Sequence, residues 1–206
     1  MERIVFVVDD DGMVRTALLR LLASAGLAAR GFASAQEFLQ TPLPPAPCCL
    51  LLDMQMPGPD GFEVVRQLEQ RGDALPVIFI SGYGTIPVTV QAMKAGAHEF
   101  LTKPIQDERL LDAVGEALEI AERQLLSRVE HAASTSRLET LTPREREVLE
   151  LAIGGLLNKQ IATELGISEI TVKVHKRRVM DKMQTRTLAD LVRTAERLQI
   201  HSARQR

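Results

Sequence analysis

One stretch constrains this chain more than any other: Cys49-Leu50-Leu51-Leu52-Asp53-Met54-Gln55-Met56-Pro57-Gly58-Pro59-Asp60-Gly61. An unbroken apolar run ends on a single carboxylate, and prolines and glycines follow. That is the pattern of a buried parallel strand that stops abruptly and presents Asp53 at its carboxyl end. A strand buried on both faces needs helices above and below it, which points to an open α/β sheet. In such sheets ligands sit beyond the carboxyl ends of the strands.

The surrounding sequence supplies the rest of such a sheet. Ile4-Val5-Phe6-Val7-Val8 is a β-rich run that ends on Asp9-Asp10-Asp11. Met13 to Ala25 has helical periodicity through Val14, Leu18, Leu21 and Leu22 and stops at Gly26, a position suited to a left-handed cap. Leu27 to Phe32 is the next strand, and Ser34-Ala35-Gln36-Glu37 fits a capping box that opens a helix ending before the Pro42–Pro47 loop. After Asp53, Asp60-Gly61-Phe62-Glu63 starts a helix with Val64, Val65 and Leu68 inward. Val77 to Ile80 is a further buried run, closed by Ser81-Gly82. Thr85 and Pro87 open a helix that closes on Gly96, and His98 to Thr102 forms the last strand before Lys103-Pro104. Five strands alternating with helices predict a doubly wound five-stranded parallel sheet covered on both faces.

The strand ends carry Asp9, Asp10, Asp53, Ser81 and Lys103, and in a doubly wound sheet they converge on one crevice. Carboxylates gathered there repel one another and raise each other's pKa unless a hard divalent cation such as Mg2+ joins them through oxygen. A cation so held also neutralises phosphoryl oxygens. In that setting Asp53 is a nucleophile for phosphoryl transfer, Ser81 donates a hydrogen bond, and Lys103 adds positive charge against the incoming group.

At 206 residues the chain has room for two small domains. The formal charge of -2 is the sum of unlike halves: residues 1–122 carry 9 Lys and Arg against 17 Asp and Glu, and residues 123–206 carry 16 against 10. An acidic half joined to a basic one suggests two tasks, with a polyanion as a partner of the second. No apolar run approaches the roughly 18 residues of a membrane span, and the first nine residues lack a signal-peptide core, so no membrane association and a cytoplasmic location are expected. Cys48 and Cys49 are the only cysteines. Neighbours on one strand point to opposite faces, which strains a disulfide, and none of the histidines at 98, 131, 175 and 201 lies at a ligand-like spacing from them, so they read as small buried hydrophobes.

Beyond the sheet, an apolar stripe through Leu110, Leu111, Val114, Leu118, Ala121, Leu125 and Val129 predicts a helix that runs on past Glu122. His131 to Arg137, small and polar, reads as a flexible hinge. Thr142-Pro143-Arg144-Glu145 combines a cap, an early proline and a capping-box glutamate. The helix it opens ends near Gly154-Gly155, Asn158 caps a shorter one, and after Gly166-Ile167, Ser168 caps a third that runs to about Met183. This is a helix-turn-helix layout. On the third helix Val172, Val179 and Met183 share one side and Lys173, Lys176 and Arg177 another, a core face and a face for DNA. His175 lies between the two and reads as a packed structural histidine.

These motifs carry a family resemblance. Through V-V-D-D-D, L-L-L-D-M-Q-M-P-G-x-D-G, I-S-G-Y-G, M-K-A-G-A and F-L-T-K-P, residues 3–121 resemble the receiver domain of bacterial two-component response regulators. The resemblance implies a flavodoxin-like 2-1-3-4-5 sheet, with Asp53 as phosphoacceptor. It implies Mg2+ (or Mn2+) held by Asp10, Asp53 and the backbone carbonyl of Gln55, with Asp9 assisting indirectly. Ser81 carries over as the switch hydroxyl, Lys103 as the phosphate-binding amine, Phe100 as the switch aromatic, and the Lys103-Pro104 bond as cis. Two departures are mild: Ser81 stands where threonine is more frequent, and Tyr83 where close relatives often have histidine.

Through L-T-P-R-E-R-E-V-L, N-K-Q-I-A-T-E-L-G-I-S and T-V-K-V-H, residues 138–200 resemble the LuxR-type helix-turn-helix domain, and the two together resemble the NarL/FixJ family and its FixJ-like members. Lys173, Val174 and Arg177 match the base-facing positions. Lys159, Thr171, Lys176 and Arg178 match positions at or near phosphates, and the last helix, Leu188 to Leu198, matches the family's dimer contact on DNA. The implied division is a receiver at 1–122, a linker at 123–137 made of a helical extension and then the hinge, and a DNA-binding domain at 138–206. The implied function is a phosphorylation-activated transcriptional regulator. Its partners are a sensor histidine kinase, double-stranded promoter DNA, RNA polymerase and, when phosphorylated, a second copy of itself. Its only chemistry is self-phosphorylation from a phosphodonor and slow autodephosphorylation. Aspartyl-phosphate phosphatases on a similar sheet resemble a D-x-D pattern, whereas this chain has Asp53-Met54-Gln55 and so lacks the second, acid aspartate.

Overall fold

The computed structural model describes residues 2–73, 75–82 and 85–202. Tyr83 lies outside them. Five strands, β1 (Ile4–Val8), β2 (Ala28–Phe32), β3 (Cys48–Asp53), β4 (Val77–Ser81) and β5 (Glu99–Thr102), form one parallel sheet in the order β2-β1-β3-β4-β5. Helices α1 (Gly12–Ser24), α2 (Ala35–Gln40), α3 (Gly61–Gln70), α4 (Ile86–Lys94) and α5 (Asp107–Glu139) alternate with the strands and follow them. This is the doubly wound receiver architecture the sequence predicts.

The strands are apolar throughout because both faces of the sheet are covered. Alternate side chains divide between two cores. Phe6, Leu50, Leu52, Phe79 and Phe100 pack with Phe38, Val64 and Leu68 on one face; Val5, Val7, Leu51, Ile78 and Ile80 pack with Leu18, Leu22, Leu110, Val114 and Leu118 on the other. Cys48 and Cys49 go to opposite cores and form no disulfide, and burial, with a smaller contribution from Cys48, pushes the Cys49 thiol up to about 12. It therefore stays protonated and unreactive at neutral pH. Gly61, the first residue of α3, permits a close approach to the Phe79 ring: a Cβ there would fall 2.8 Å from it, so that something would have to shift.

The chain divides into two units, residues 1–126 and 127–206, with the division falling inside α5. The helix is continuous through His131–Arg137, which corrects the expectation of a flexible hinge there. The segment contains neither glycine nor proline to break a helix. Its small side chains serve packing instead: Ser134 is buried, and Ala133 and Thr135 are half-buried.

Four further helices follow: α6 (Pro143–Ile153), α7 (Asn158–Leu165), α8 (Glu169–Met183) and α9 (Leu188–Arg197). Thr142 and Glu145 complete the capping box on α6, and Ser168 caps α8 through the Thr171 N–H. The α7 cap differs from expectation. Leu157 is the N-cap residue and Asn158 is already helical, because the Gln160 side chain reaches back to accept from the Leu157 N–H at 2.8 Å. Gly166, at φ 65°, makes the left-handed turn between α7 and α8. Val172, Val179 and Met183 bury the inner face of α8 against α6, α7 and α9.

Candidate functional site

The ends of β1 and β3 bring Asp9, Asp10 and Asp53 together, so that one carboxylate oxygen of each lies within 4.8 Å of the other two. Adjacent register places them there: Val8 pairs with Leu52, and the next residue of each strand is acidic. Asp9 and Asp53 are buried, whereas Asp10 is exposed. Three hard oxygen donors at this separation suit one divalent cation, and the exposed side of the set leaves room for further oxygens around it.

Lys103, carried in from the end of β5, spans the two buried acids. Its Nζ donates to Asp9 Oδ2 at 3.0 Å and to Asp53 Oδ2 at 3.2 Å. Burial works against the ammonium charge, but the bonds to Asp9 and Asp53 outweigh it and hold Lys103 above its ordinary 10.5. Asp9 goes the other way: burial prevails over the pull of Lys103 and of the Asp11 N–H, and its carboxyl lies above the ordinary 3.8. The Lys103 backbone N–H donates to the Ser81 carbonyl at 2.8 Å, which fixes the ends of β4 and β5 together with Ser81 buried beside them. The Gln55 N–H donates to Asp53 Oδ1 at 3.3 Å, and Phe100 is buried across from Phe79. The Lys103-Pro104 bond is cis.

One cation near the acids carries no local pattern that singles it out. Arg15, one turn into α1, donates through Nη1 to the Asp9 carbonyl at 2.6 Å and the Asp10 carbonyl at 3.5 Å. A basic residue one helical turn past a strand-end acid pair was the only signal available for it.

In the second unit the expected contact residues lie on and beside the outer face of α8. Lys173, Arg177, Arg178 and Lys159 are exposed, Val174 is 45% exposed, and Lys176 and Thr171 are half-buried. Arg177 faces Asp181 at 3.9 Å, and Thr171 Oγ1 is 2.8 Å from Ser168 Oγ. Together with Asn158 and Arg186, the bases Lys173, Lys176 and Arg177 line a shallow cleft. His175 is half-buried, and its Nδ1 is enclosed without a hydrogen-bond partner among the described residues. Below this face Lys182 donates to Glu145 Oε2 at 2.7 Å and to the Thr140 carbonyl at 2.9 Å, pinning the end of α8 to the start of α6. Sequence spacing offers no trace of that pair.

Comparison with known proteins agrees with both halves. Residues 5–115 match the model of the response regulator receiver domain, and residues 139–195 match the bacterial regulatory proteins of the luxR family. Nodulation protein W of Bradyrhizobium diazoefficiens is 47% identical over 197 residues, spanning 96% of this chain and 87% of the relative. Transcriptional regulatory protein FixJ of the same organism is 39% identical over 193 residues, 94% of each chain. The solved structure of response regulator StyR superposes with a TM-score of 0.84 at 46% identity, covering 95% of this chain and 99% of that one. No helix among the described residues is long and apolar enough to cross a membrane. With an acid pocket at the edge of a receiver sheet and a basic helix-turn-helix face on a luxR-family domain, the chain belongs to the response regulators of two-component systems, as a DNA-binding transcriptional member.

Proposed function

We propose that Asp53 is the phosphoacceptor and that its phosphorylation controls DNA binding by α8. The observation that carries this reading is the acid cluster itself, three carboxylates within 4.8 Å with the Lys103 ammonium bridging two of them. Mg2+ (or Mn2+), held by Asp10, Asp53 and the Gln55 carbonyl with Asp9 behind, would neutralise phosphoryl oxygens. A carboxylate oxygen of Asp53 attacks the phosphorus of a kinase phosphohistidine or a small phosphodonor. The new O–P bond forms as the bond to the leaving group breaks, and the acyl phosphate later hydrolyses slowly. Lys103, already in reach of Asp53, turns to a phosphoryl oxygen, and the Ser81 hydroxyl donates to another. Movement of Ser81 and Phe100 then alters the face made by α4, β5 and α5.

That face suits self-association. Ile86, Val90 and Met93 form a stripe at helical spacing on α4 and are 82%, 46% and 48% exposed. A homodimer through it would present two α8 helices to two half-sites of a promoter. Lys173, Val174 and Arg177 would read base edges, and Lys159, Thr171, Lys176 and Arg178 would lie on phosphates. Leu188 to Leu198 would complete the dimer on DNA, RNA polymerase would be the later partner, and the cytoplasm would be the working compartment. The test is Asp53→Asn, examined for dimerisation by sedimentation and for promoter binding by band shift, with and without a phosphodonor. Both responses are expected to vanish in the variant, and a variant that still dimerises and binds on phosphodonor treatment would end this reading.

A further inference from the structure

We propose that Arg15 is a positioning residue for the divalent-ion site: its guanidinium, anchored on the carbonyls of Asp9 and Asp10, holds the β1–α1 turn in the shape that brings both aspartate carboxylates to one ion. This role rests on the reading of the acid pocket given above.

Three observations support it. Arg15 donates through Nη1 to backbone carbonyls, at 2.6 Å from the Asp9 oxygen and 3.5 Å from that of Asp10, while the Asp9 carboxylate oxygens accept from the Asp11 N–H and from Lys103. The rest of the turn is tied at its two ends. The Asp11 N–H donates to Asp9 Oδ1 at 2.9 Å, while the Asp11 carboxylate caps α1 through the Met13 and Val14 N–H groups at 2.7 and 3.3 Å. Asp10 lies between those ties with an exposed side chain, and among the described residues the Arg15 guanidinium is the side chain that donates to its backbone carbonyl. The route of Arg15 to the turn is also built in. Its stem crosses β2 at Gly31, where a Cβ would lie 3.2 Å from Arg15 Cγ and Cδ and 2.9 Å from Leu19 Cδ1. Glycine at that point of the strand spares the stem the close contact that a Cβ would make.

Electrostatics alone predicts the opposite role, which makes the proposal separable. A guanidinium beside a cation site repels the cation, so a residue acting only through its charge would bind the ion more tightly once neutralised. A residue that orients ligands from behind weakens the site when removed, commonly by 10-fold or more.

The experiment titrates Mg2+ into the full chain by calorimetry for wild type, Arg15→Met, Arg15→Lys and Asp10→Asn, and records melting of each in EDTA. Arg15→Met keeps the apolar stem and is expected to weaken Mg2+ binding about tenfold. Arg15→Lys should recover part of the loss, since an ammonium can still reach one carbonyl, and metal-free melting should stay within a few degrees of wild type. Tighter or unchanged Mg2+ binding by Arg15→Met would overturn the positioning role. So would a drop in metal-free melting with affinity intact, which would make Arg15 a structural residue only. Wild-type chain whose Mg2+ uptake is absent, or unaltered by Asp10→Asn, would overturn the acid-pocket reading and this role with it.

Discussion

Asp9 and Glu145 are both buried carboxylates paired with a lysine, yet their protons are held in opposite senses. Around Asp9, burial prevails and the carboxyl is raised. Around Glu145, burial also opposes the charge, but the Lys182 hydrogen bond and the Thr142 N–H of the capping box prevail, and the carboxyl falls below its ordinary 4.5. The difference lies in how far burial is offset by the hydrogen bonds and charge each carboxylate receives. The folded state therefore holds the Glu145 proton less tightly than the unfolded chain does, so its contribution to stability is complete above pH 4.5 and is lost as the pH falls through the lowered folded value. Glu145→Gln should cost about 1–2 kcal/mol at neutral pH, the worth of a hydrogen bond between charged groups of which the lysine is 35% exposed. The difference from wild type should close in acid, as read by melting across that pH range. A constant difference at every pH would mean that shape, and not charge, is what the site requires.

Helix α5 shows how a single element can be read correctly in period and wrongly in extent. Its apolar stripe through Leu110, Val114, Leu118 and Ala121 is buried on the sheet, while Leu126 and Val129 are 53% and 58% exposed. Farther on, Ser134 and Leu138 turn inward again, and Leu138 joins Leu141, Leu149, Val179 and Leu191 in a core. The Arg146 guanidinium accepts its place at the helix end by donating to the Leu138 carbonyl at 3.3 Å, and Arg197 pairs with Glu130 at 2.9 Å. Cations at a helix C-terminus favour the helix by offsetting its dipole. Ala132 is exposed, so a change there tests the backbone alone. Ala132→Pro should lower stability by about 3 kcal/mol and reduce helical circular dichroism, with Ala132→Ser nearly neutral. Full tolerance of the proline would restore the hinge that the small polar residues suggested.

Across the whole chain, charge separates the two tasks: the first 122 residues are strongly acidic in balance and the remainder basic. Binding to a polyanion should then depend steeply on salt through the second half. Lys176→Ala should weaken binding to all sequences about equally and lower the salt slope by about one, whereas Arg177→Ala should relax preference at one base pair at a cost of roughly 1–3 kcal/mol. Fluorescence anisotropy on matched and mismatched duplexes over a salt series would read both, and equal effects of the two changes would contradict this assignment of roles. The amino-acid order alone determined the five strands, their sequence of helices, the caps at Ser34, Asp60, Thr142 and Ser168, and the gathering of Asp9, Asp10 and Asp53. Those follow from local periodicity, cap chemistry and the rule that parallel strands end on one edge, all of which act over a few residues or a simple topology. Tertiary structure alone decided the fate of His131–Arg137, the Leu157 cap, the Lys182–Glu145 pair and the hold of Arg15 on the β1–α1 turn. Small residues look alike in a loop and in a close helix contact, and a long side chain chooses among partners that only the packed chain brings within its reach.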